Sequence, residues 1–546
     1  MKQTLLFALL SILCMNTSAQ LSSPLPFLTK SVPLSAQITD YADKDKTDAP
    51  AALIRLPNGK LAYMTRQNGK MSPFYIKAIE TGYWDTRNDP ATNFDSVFAD
   101  MRQIGANTAY VMIHWEEIEP ADNHFDFNYA DSLVAAARRQ HLKLNWILFL
   151  HAQQNILPEK NTGAGWTFHL DDRDSSNYAM QWVKRNGQHY SNLKDIMTYG
   201  IRPLHVYGHK EIFYRIRRML YQLAVHYRHD PTVIGVQVGN EEGFSFLDES
   251  DFNPVTAELY KEWKQKTNKT DYAQFKKEAI DWWWQQFTSA YHEGDPYKIL
   301  SFNLDAAQAE AGDEKRVAMT GTSASTYGDG NLDVIGTMFY RGWGYRAFLG
   351  LDKRYNNSYP YRLPILIPSE IGIGQFNPPV YFRHFVLHSL ERAAQGFGVY
   401  CYGEVGKNLP DKQQERADLM QMFRNIKVNE DIIYAGLPGP GYAVCSSQSP
   451  EIQLSHLNVD GKETLAMLYF PKAKSMEHAG KADVEITVTA RQKGAYKISI
   501  HSSVNDEQQM DMRLKEGEST QINLSQFDKT DVAFIRMIKD PGNKVH

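Results

Sequence analysis

The 546-residue chain contains only three cysteines, and one of them, Cys14, falls within the first twenty residues. Cys401 and Cys445 lie in segments of different character, so no disulfide framework holds this fold and a buried core must do so. An excess of one charge is lacking too. The 59 Lys and Arg against 63 Asp and Glu give a net charge of -4 and a pI near 6.5, which removes the electrostatic basis for a nucleic-acid or anionic-membrane partner. Beyond the amino-terminal segment no apolar stretch has the length of a membrane span. His-Glu-x-x-His, paired Cys-x-x-Cys, a phosphate-binding Gly-rich loop with Lys and a Gly-x-Ser-x-Gly elbow are all missing, so no metal and no cofactor is implied. His205 and His209 have i, i+4 spacing but no nearby third ligand, and they read as a loop and helix-cap pair.

What is present is length, aromatic content and alternation. A chain of this size is expected to hold one large catalytic domain with an appended module. Lys2, the apolar run Leu5 to Met15 and the small residues Thr17-Ser-Ala19 read as a signal peptide over residues 1–19, cut ahead of Gln20, which predicts a periplasmic or extracellular protein. Aromatics make up 12% of the chain, with 30 Tyr and 10 Trp. Such rings stack well on sugar faces but also fill large cores, so the count permits a carbohydrate ligand without requiring one.

Residues 20–70 read as an extension ending in a hairpin-like region around Pro57-Asn-Gly59 and Gln67-Asn-Gly69. Eight strand candidates follow, at Phe74 to Ile79, Thr108 to Ile113, Lys143 to Leu150, Val233 to Val238, Ile299 to Leu304, Asp333 to Phe339, Leu363 to Ile367 and Phe397 to Tyr402. Helical periodicity separates most of them, as in Phe94, Val97, Phe98, Met101 and Ile104 behind the cap Asn93. This predicts an α/β fold, a (β/α)8 TIM barrel over residues 71–430. The long segment from Gln153 to Tyr207 reads as the wall of a binding site. Trp282-Trp-Trp284 cannot face one way on a helix and reads mainly as packing. After Gly436-Leu-Pro-Gly-Pro-Gly441 the pattern changes to alternation, as in Val484, Ile486 and Val488, which predicts a C-terminal antiparallel β-sandwich over residues 431–546.

In a barrel of this kind chemistry sits just past the carboxyl ends of the strands. The fourth strand ends in Asn240, Glu241 and Glu242, and the seventh is followed by Glu370. Two carboxylates across a barrel mouth suit hydrolysis of a glycosidic bond, one protonating the leaving oxygen and the other attacking the anomeric carbon. Glu80, Trp84, His114, Trp115, Glu119, Asn145 and His151 are further rim candidates from the early strands, and Tyr400, Tyr402 and Glu404 from the eighth.

Gly105-Ala-Asn-Thr108, Trp115-Glu-Glu-Ile-Glu-Pro120, Phe125-Asp-Phe127 and Val236-Gln-Val-Gly-Asn-Glu241 together resemble clan A glycoside hydrolases, especially the β-galactosidases of families 35 and 42. The resemblance covers roughly Phe74 to Glu404. It implies Glu241 as acid/base, Asn240 as the partner of the sugar hydroxyl beside the anomeric carbon, Glu370 as nucleophile and Tyr340 as a hydrogen-bond partner of that nucleophile. Trp115, Glu119, Asn145 and Tyr402 are carried as candidate substrate contacts, and Glu242 is the rival acid. Clan members often place a Trp after the eighth strand, whereas this chain has Tyr or Glu there. The expectation is a secreted retaining exo-β-glycosidase, with β-galactosidase the leading activity and an oligo- or polysaccharide as substrate. Another clan A specificity (β-glucanase, mannanase, arabinosidase) and a barrel that binds carbohydrate without cleaving it stay open at this point. Nothing in the sequence points to an oligomeric state.

Overall fold

Runs rich in β-branched residues, each followed by an amphipathic stretch, form eight parallel strands wrapped by helices in the computed structural model of the chain. It describes residues 33–81, 93–150, 166–173, 176–201, 203–245, 248–304, 313–340, 364–461, 463–471, 480–502 and 508–539. The signal-peptide segment, Trp84 and His151 lie outside them. The first five strands are Ile76–Glu80, Thr108–His114, Lys143–Phe149, Val233–Asn240 and Ile299–Asn303.

The sixth and seventh strands are each broken in two, which the sequence pattern does not show. Val334–Ile335 and Met338–Phe339 make the sixth, Ile365–Leu366 and Glu370–Gly372 the seventh. Lower pieces pair with each other (Val334 with Ile365), as do upper pieces (Met338 with Glu370). Glu370–Gly372 then pairs with the eighth strand, Gly396–Tyr400, and that strand pairs with the first, Gly396 opposite Ile76. The ring is therefore closed, a (β/α)8 barrel.

Each strand is buried on both faces, which explains its near-continuous apolar run. Ile76, Ala78, Tyr110, Met112, Ile147, Ile234, Ile299 and Val334 fill the interior. Residues of the opposite parity, such as Val111, Trp146, Leu300 and Phe302, meet the helices outside. Those helices include Phe94–Ile104, Asn128–Arg139, Lys210–Tyr227 and Tyr272–Gly294. Asn93 caps the first of them by accepting from the Ser96 N–H, as its sequence position predicts. Trp282, Trp283 and Trp284 are all buried in the last, where Trp282 stacks on Phe213 and Trp284 meets Phe302.

The amino-terminal segment forms a four-stranded sheet rather than a lone hairpin: Ile38–Asp40, Ala51–Arg55, Leu61–Gln67 and Lys70–Pro73. The turn at Asn68-Gly69 has φ of 49° and 79°, the left-handed pair that a two-residue hairpin turn requires. Leu53, Leu61 and Tyr63 from this sheet pack against Ile76 and Ile234, so the sheet plugs the amino-terminal end of the barrel. The Tyr63 phenol donates to the Ile234 carbonyl there.

The carboxyl-terminal region is a sandwich of a six-stranded and a three-stranded antiparallel sheet. Ile486, Val488, Ile498, Ile500, Leu524 and Ile535 form its internal core. Leu457, Leu465, Met467 and Phe534 on the outer face of the larger sheet join the barrel's core cluster, against helices that include Pro379–Glu391 and Glu430–Ala435. That second buried face is why Glu463–Tyr469 reads as a continuous apolar run rather than an alternating one. Arg383 fastens the joint, donating to the Thr530 carbonyl at 2.9 Å and to Asp418 at 2.8 Å. No helix among the described residues is long and apolar enough to cross a membrane.

Arg383 and Asp418 are nearly buried, so Arg383→Met strands a carboxylate away from water and is expected to cost about 3 kcal/mol. A fall in the urea midpoint checks this, and an unchanged midpoint would remove the pair from the joint.

Candidate active site

The end of the fourth strand owes its shape to two left-handed residues, Gly239 at φ 79° and Glu241 at φ 55°. The turn sends successive side chains to different places. Glu242 goes inward and is fully buried; its Oε1 accepts from the Leu150 N–H at 3.1 Å and its Oε2 from the Tyr207 phenol. Glu241 stays half-buried beside Asn240. A Cβ on residue 239 would sit 2.3 Å from Glu242 Cγ, so glycine is needed both for its dihedral and for this contact. Glu242, the rival acid, is thus an acceptor held inside the wall.

Glu370 opens the upper piece of the seventh strand and is buried. Burial raises its pKa first of all, and the negative charge of Glu241 raises it further; the hydrogen bonds from Tyr340 and Asn303 oppose both. The Tyr340 phenol donates to Glu370 Oε2 at 2.6 Å and the Asn303 amide to Oε1 at 2.8 Å. Burial and the adjacent Glu370 charge push the Tyr340 hydroxyl far above its ordinary pKa, so it stays a donor. Asn303 also donates to Asn240 Oδ1 at 2.7 Å and accepts from the Glu241 N–H at 3.1 Å. A half-buried carboxyl and a buried carboxylate steadied by two donors suit proton donation by one and nucleophilic attack by the other.

Tyr400 and Phe376 stand around this group. Tyr340 lies 5.9 Å from Phe376 and 6.1 Å from Tyr400, ring to ring, and Phe376 lies 4.9 Å from Tyr400. All three are half-buried, offering aromatic surface where the sequence has no tryptophan. Part of the long segment between the third and fourth strands folds on its own small core of Phe168, Met180, Val183, Tyr190, Ile196 and Ile201. Its hairpin, Val183–Arg185 with Gln188–Tyr190, takes Glu249–Ser250 from beyond the fourth strand as a third strand. Gln181 donates to the Gly243 carbonyl at 2.7 Å, tying this piece to the turn that carries Glu241.

Asn240, Glu241, Tyr340 and Glu370 are brought together; four other expected contacts are not. Trp115 is fully buried and donates to Glu119 Oε2 at 2.8 Å, while Glu119 also accepts from the Asn123 N–H and from Arg218. Both serve packing because the helix Trp115–Ile118 turns back into the protein directly after the second strand. Asn145 lies four residues before the end of the third strand, which puts it about 13 Å below the rim. Its carbonyl fills the space left by Gly235. The Tyr402 phenol donates to Asp100 at 3.0 Å, in a cluster with Arg416. Of the remaining candidates, Glu80 and His114 end their strands and are buried, and Glu404 binds Gln375 and Lys412. His205 stacks on Phe168 and His209 pairs with Asp171 at 2.8 Å.

Two residues escaped the sequence reading. Asn303 ends the fifth strand, and the rule that singled out Asn240 applies to it equally. Phe376 carried no signal, since only the fold brings it to Glu370. A groove of about 1310 Å3 lies at the other end of the barrel, lined by residues such as Lys77, Arg102, Lys143 and Lys427; neither Glu241 nor Glu370 borders it. Among the described residues no group of three His, Cys, Asp or Glu side chains is placed to hold a metal.

No family profile and no curated protein matches the chain. Among solved structures it is similar to the β-galactosidase from the psychrophilic Marinomonas ef1, with a TM-score of 0.47 and 13% identity over 67% of this chain and 62% of that one. The chain thus spans less than two thirds of that enzyme's length. It is also similar to a family 39 glycoside hydrolase from the gut symbiont Bacteroides cellulosilyticus WH2, with a TM-score of 0.45 and 12% identity over 88% and 87% of the two chains. A third is a family 30 endoxylanase from Clostridium papyrosolvens C71, with a TM-score of 0.44 and 9% identity over 86% and 97%. At such identities the chemistry has to be argued from the side chains themselves.

The burial of Glu242 makes a prediction independent of any activity. Glu242→Leu leaves the Leu150 N–H and the Tyr207 hydroxyl without this acceptor and is expected to destabilise the protein by about 2 to 5 kcal/mol. Equilibrium unfolding in urea checks it; a variant as stable as wild type would free Glu242 to be the acid again.

Proposed function

We propose that this protein is a glycoside hydrolase of the retaining type, an exo-acting β-glycosidase with β-galactosidase its leading activity, exported after removal of residues 1–19. The observation that carries this reading is the pairing of Glu370, buried and held by the Tyr340 and Asn303 donors, with Glu241 on the neighbouring turn.

In the first step the Glu370 carboxylate attacks the anomeric carbon while Glu241 gives its proton to the departing glycosidic oxygen. The bond to the leaving group breaks as the ester to Glu370 forms. Having given up its proton, Glu241 is now a carboxylate and becomes the base for a water molecule. Water attacks the same carbon, its proton passes to Glu241, and Glu370 leaves as a carboxylate. Asn240 donates to the neighbouring ring hydroxyl, a contact that strengthens as the oxocarbenium-like transition state forms. The small folded piece tied by Gln181 to the turn that carries Glu241 supports exo action, since a wall beside the acid would limit how far a sugar chain extends. The aromatic surface of Tyr400 and Phe376, in place of tryptophan, favours another clan A specificity as the second reading.

Glu370→Gln is expected to lower kcat on aryl β-glycosides by about 10^3-fold or more, and Glu241→Gln by about 10^2 to 10^4-fold on poor leaving groups, with a smaller loss on activated ones. A panel of nitrophenyl glycosides identifies the sugar. Wild type inert on all of them, or a fully active Glu370→Gln, would sink the reading.

A pH profile supplies a second test. Attack requires Glu370 ionised, so the acidic limb of kcat/KM follows its ionisation in the free enzyme. The Tyr340 hydrogen bond lowers the Glu370 pKa; Tyr340→Phe therefore raises it and moves the acidic limb to higher pH. A limb that stays in place, or moves down, would detach Tyr340 from the nucleophile.

A further inference from the structure

Asn303 belongs to none of the recognised strand-end motifs, yet its one side chain joins Asn240, Glu241 and Glu370 while fully buried. The chemistry of these contacts is directional. A backbone N–H can only donate, so the atom of Asn303 facing Glu241 N must be its carbonyl oxygen. The Asn303 nitrogen then lies on the other side, and its two hydrogens go to Glu370 Oε1 and Asn240 Oδ1. Asn240 must therefore turn its own carbonyl inward, which leaves its NH2 group to face the half-buried mouth. A main-chain N–H thus settles, through two amides, which polar group meets a ligand.

We propose that Asn303 is a positioning residue that fixes the Asn240 amide with its donor end outward, selecting sugars that offer a hydroxyl oxygen on the carbon beside the anomeric centre. The proposal rests on the glycosidase reading for its kinetic consequence and on the amide geometry alone for its binding consequence. Asn303 also ties the backbone of Glu241 to the carboxylate of Glu370, so the acid, the hydroxyl donor and the nucleophile share one anchor. A neutral residue is needed there. Aspartate has the same shape but no N–H, and it would set a second negative charge against Glu370.

The test compares wild type, Asn303→Ala and Asn303→Asp on an aryl β-glycoside and on its 2-deoxy analogue. Asn303→Ala is expected to lose about 100-fold more in kcat/KM on the hydroxylated substrate than on the 2-deoxy one, because both substrates feel the lost contacts to Glu370 and Glu241 but only the former uses the Asn240 donor. Asn303→Asp is expected to shift the acidic limb of its pH profile upward. A merely structural role predicts equal losses on both substrates, and an unmoved limb would detach this side chain from Glu370; either result overturns the proposal. If wild type turns over no aryl glycoside, the glycosidase reading falls and binding decides about Asn303. Calorimetric titration with galactose and 2-deoxygalactose then shows a preference for galactose in wild type that Asn303→Ala loses. No preference in wild type, or one that the variant keeps, overturns the proposal.

Discussion

A carboxylate moved out of water loses several kcal/mol of solvation unless hydrogen bonds replace it, and at Glu370 this chain meets that constraint. The two replacements come from different places. Tyr340 stands just past the sixth strand, and Asn303 ends the fifth. Neither donor reaches Glu370 unless strands five, six and seven are neighbours in the closed ring. The breaks in the sixth and seventh strands have the same context, since Met338 still pairs with Glu370 above the interruption. The barrel is the frame on which one buried charge is made tolerable, with a second carboxylate near enough to raise its pKa.

The parts distant from the mouth hold that frame rigid. The amino-terminal sheet packs the lower end of the barrel with Leu53, Leu61 and Tyr63. The sandwich buries one face of its larger sheet on barrel helices, with Arg383 as a polar fastener between Asp418 and Thr530. These contacts support bracing as the role of the sandwich. At the rim the small folded piece is bound by Gln181 to the turn that carries Glu241. If Glu241 is the acid proposed above, its placement depends on such a supporting shell, because a displacement of about an ångström at a reacting group costs orders of magnitude in rate.

Some of this was legible residue by residue. Eight apolar runs separated mostly by helical periodicity placed eight strands to within a few residues, because strands buried on both faces leave a strong local signature. The Asn-Glu pair after the fourth strand and the Glu after the seventh stood out because polar residues directly following such runs reach the rim. The same reasoning misled at Asn145, which sits inside its strand, and at Trp115 and Glu119, which a short helix carries back into packing. It also misled at Tyr402, whose phenol is spent on Asp100. Adjacency in sequence to a strand end is a weaker condition than facing the mouth.

The sequence by itself determined the barrel and sandwich classes and the placement of Glu241 and Glu370 at strand ends, since periodicity and the residues that follow it are local properties of the chain. Tertiary structure alone decided which neighbours those carboxylates have. It turned Glu242 into the wall and left Glu241 at the mouth, a separation made by the left-handed residues Gly239 and Glu241. It also brought Asn303 and Phe376 to the site. The physical reason is that hydrogen bonds and ring contacts depend on distances of a few ångströms between residues far apart in sequence. Asn303 and Glu370 stand 67 positions apart, and no local pattern records how closely the ring brings them together.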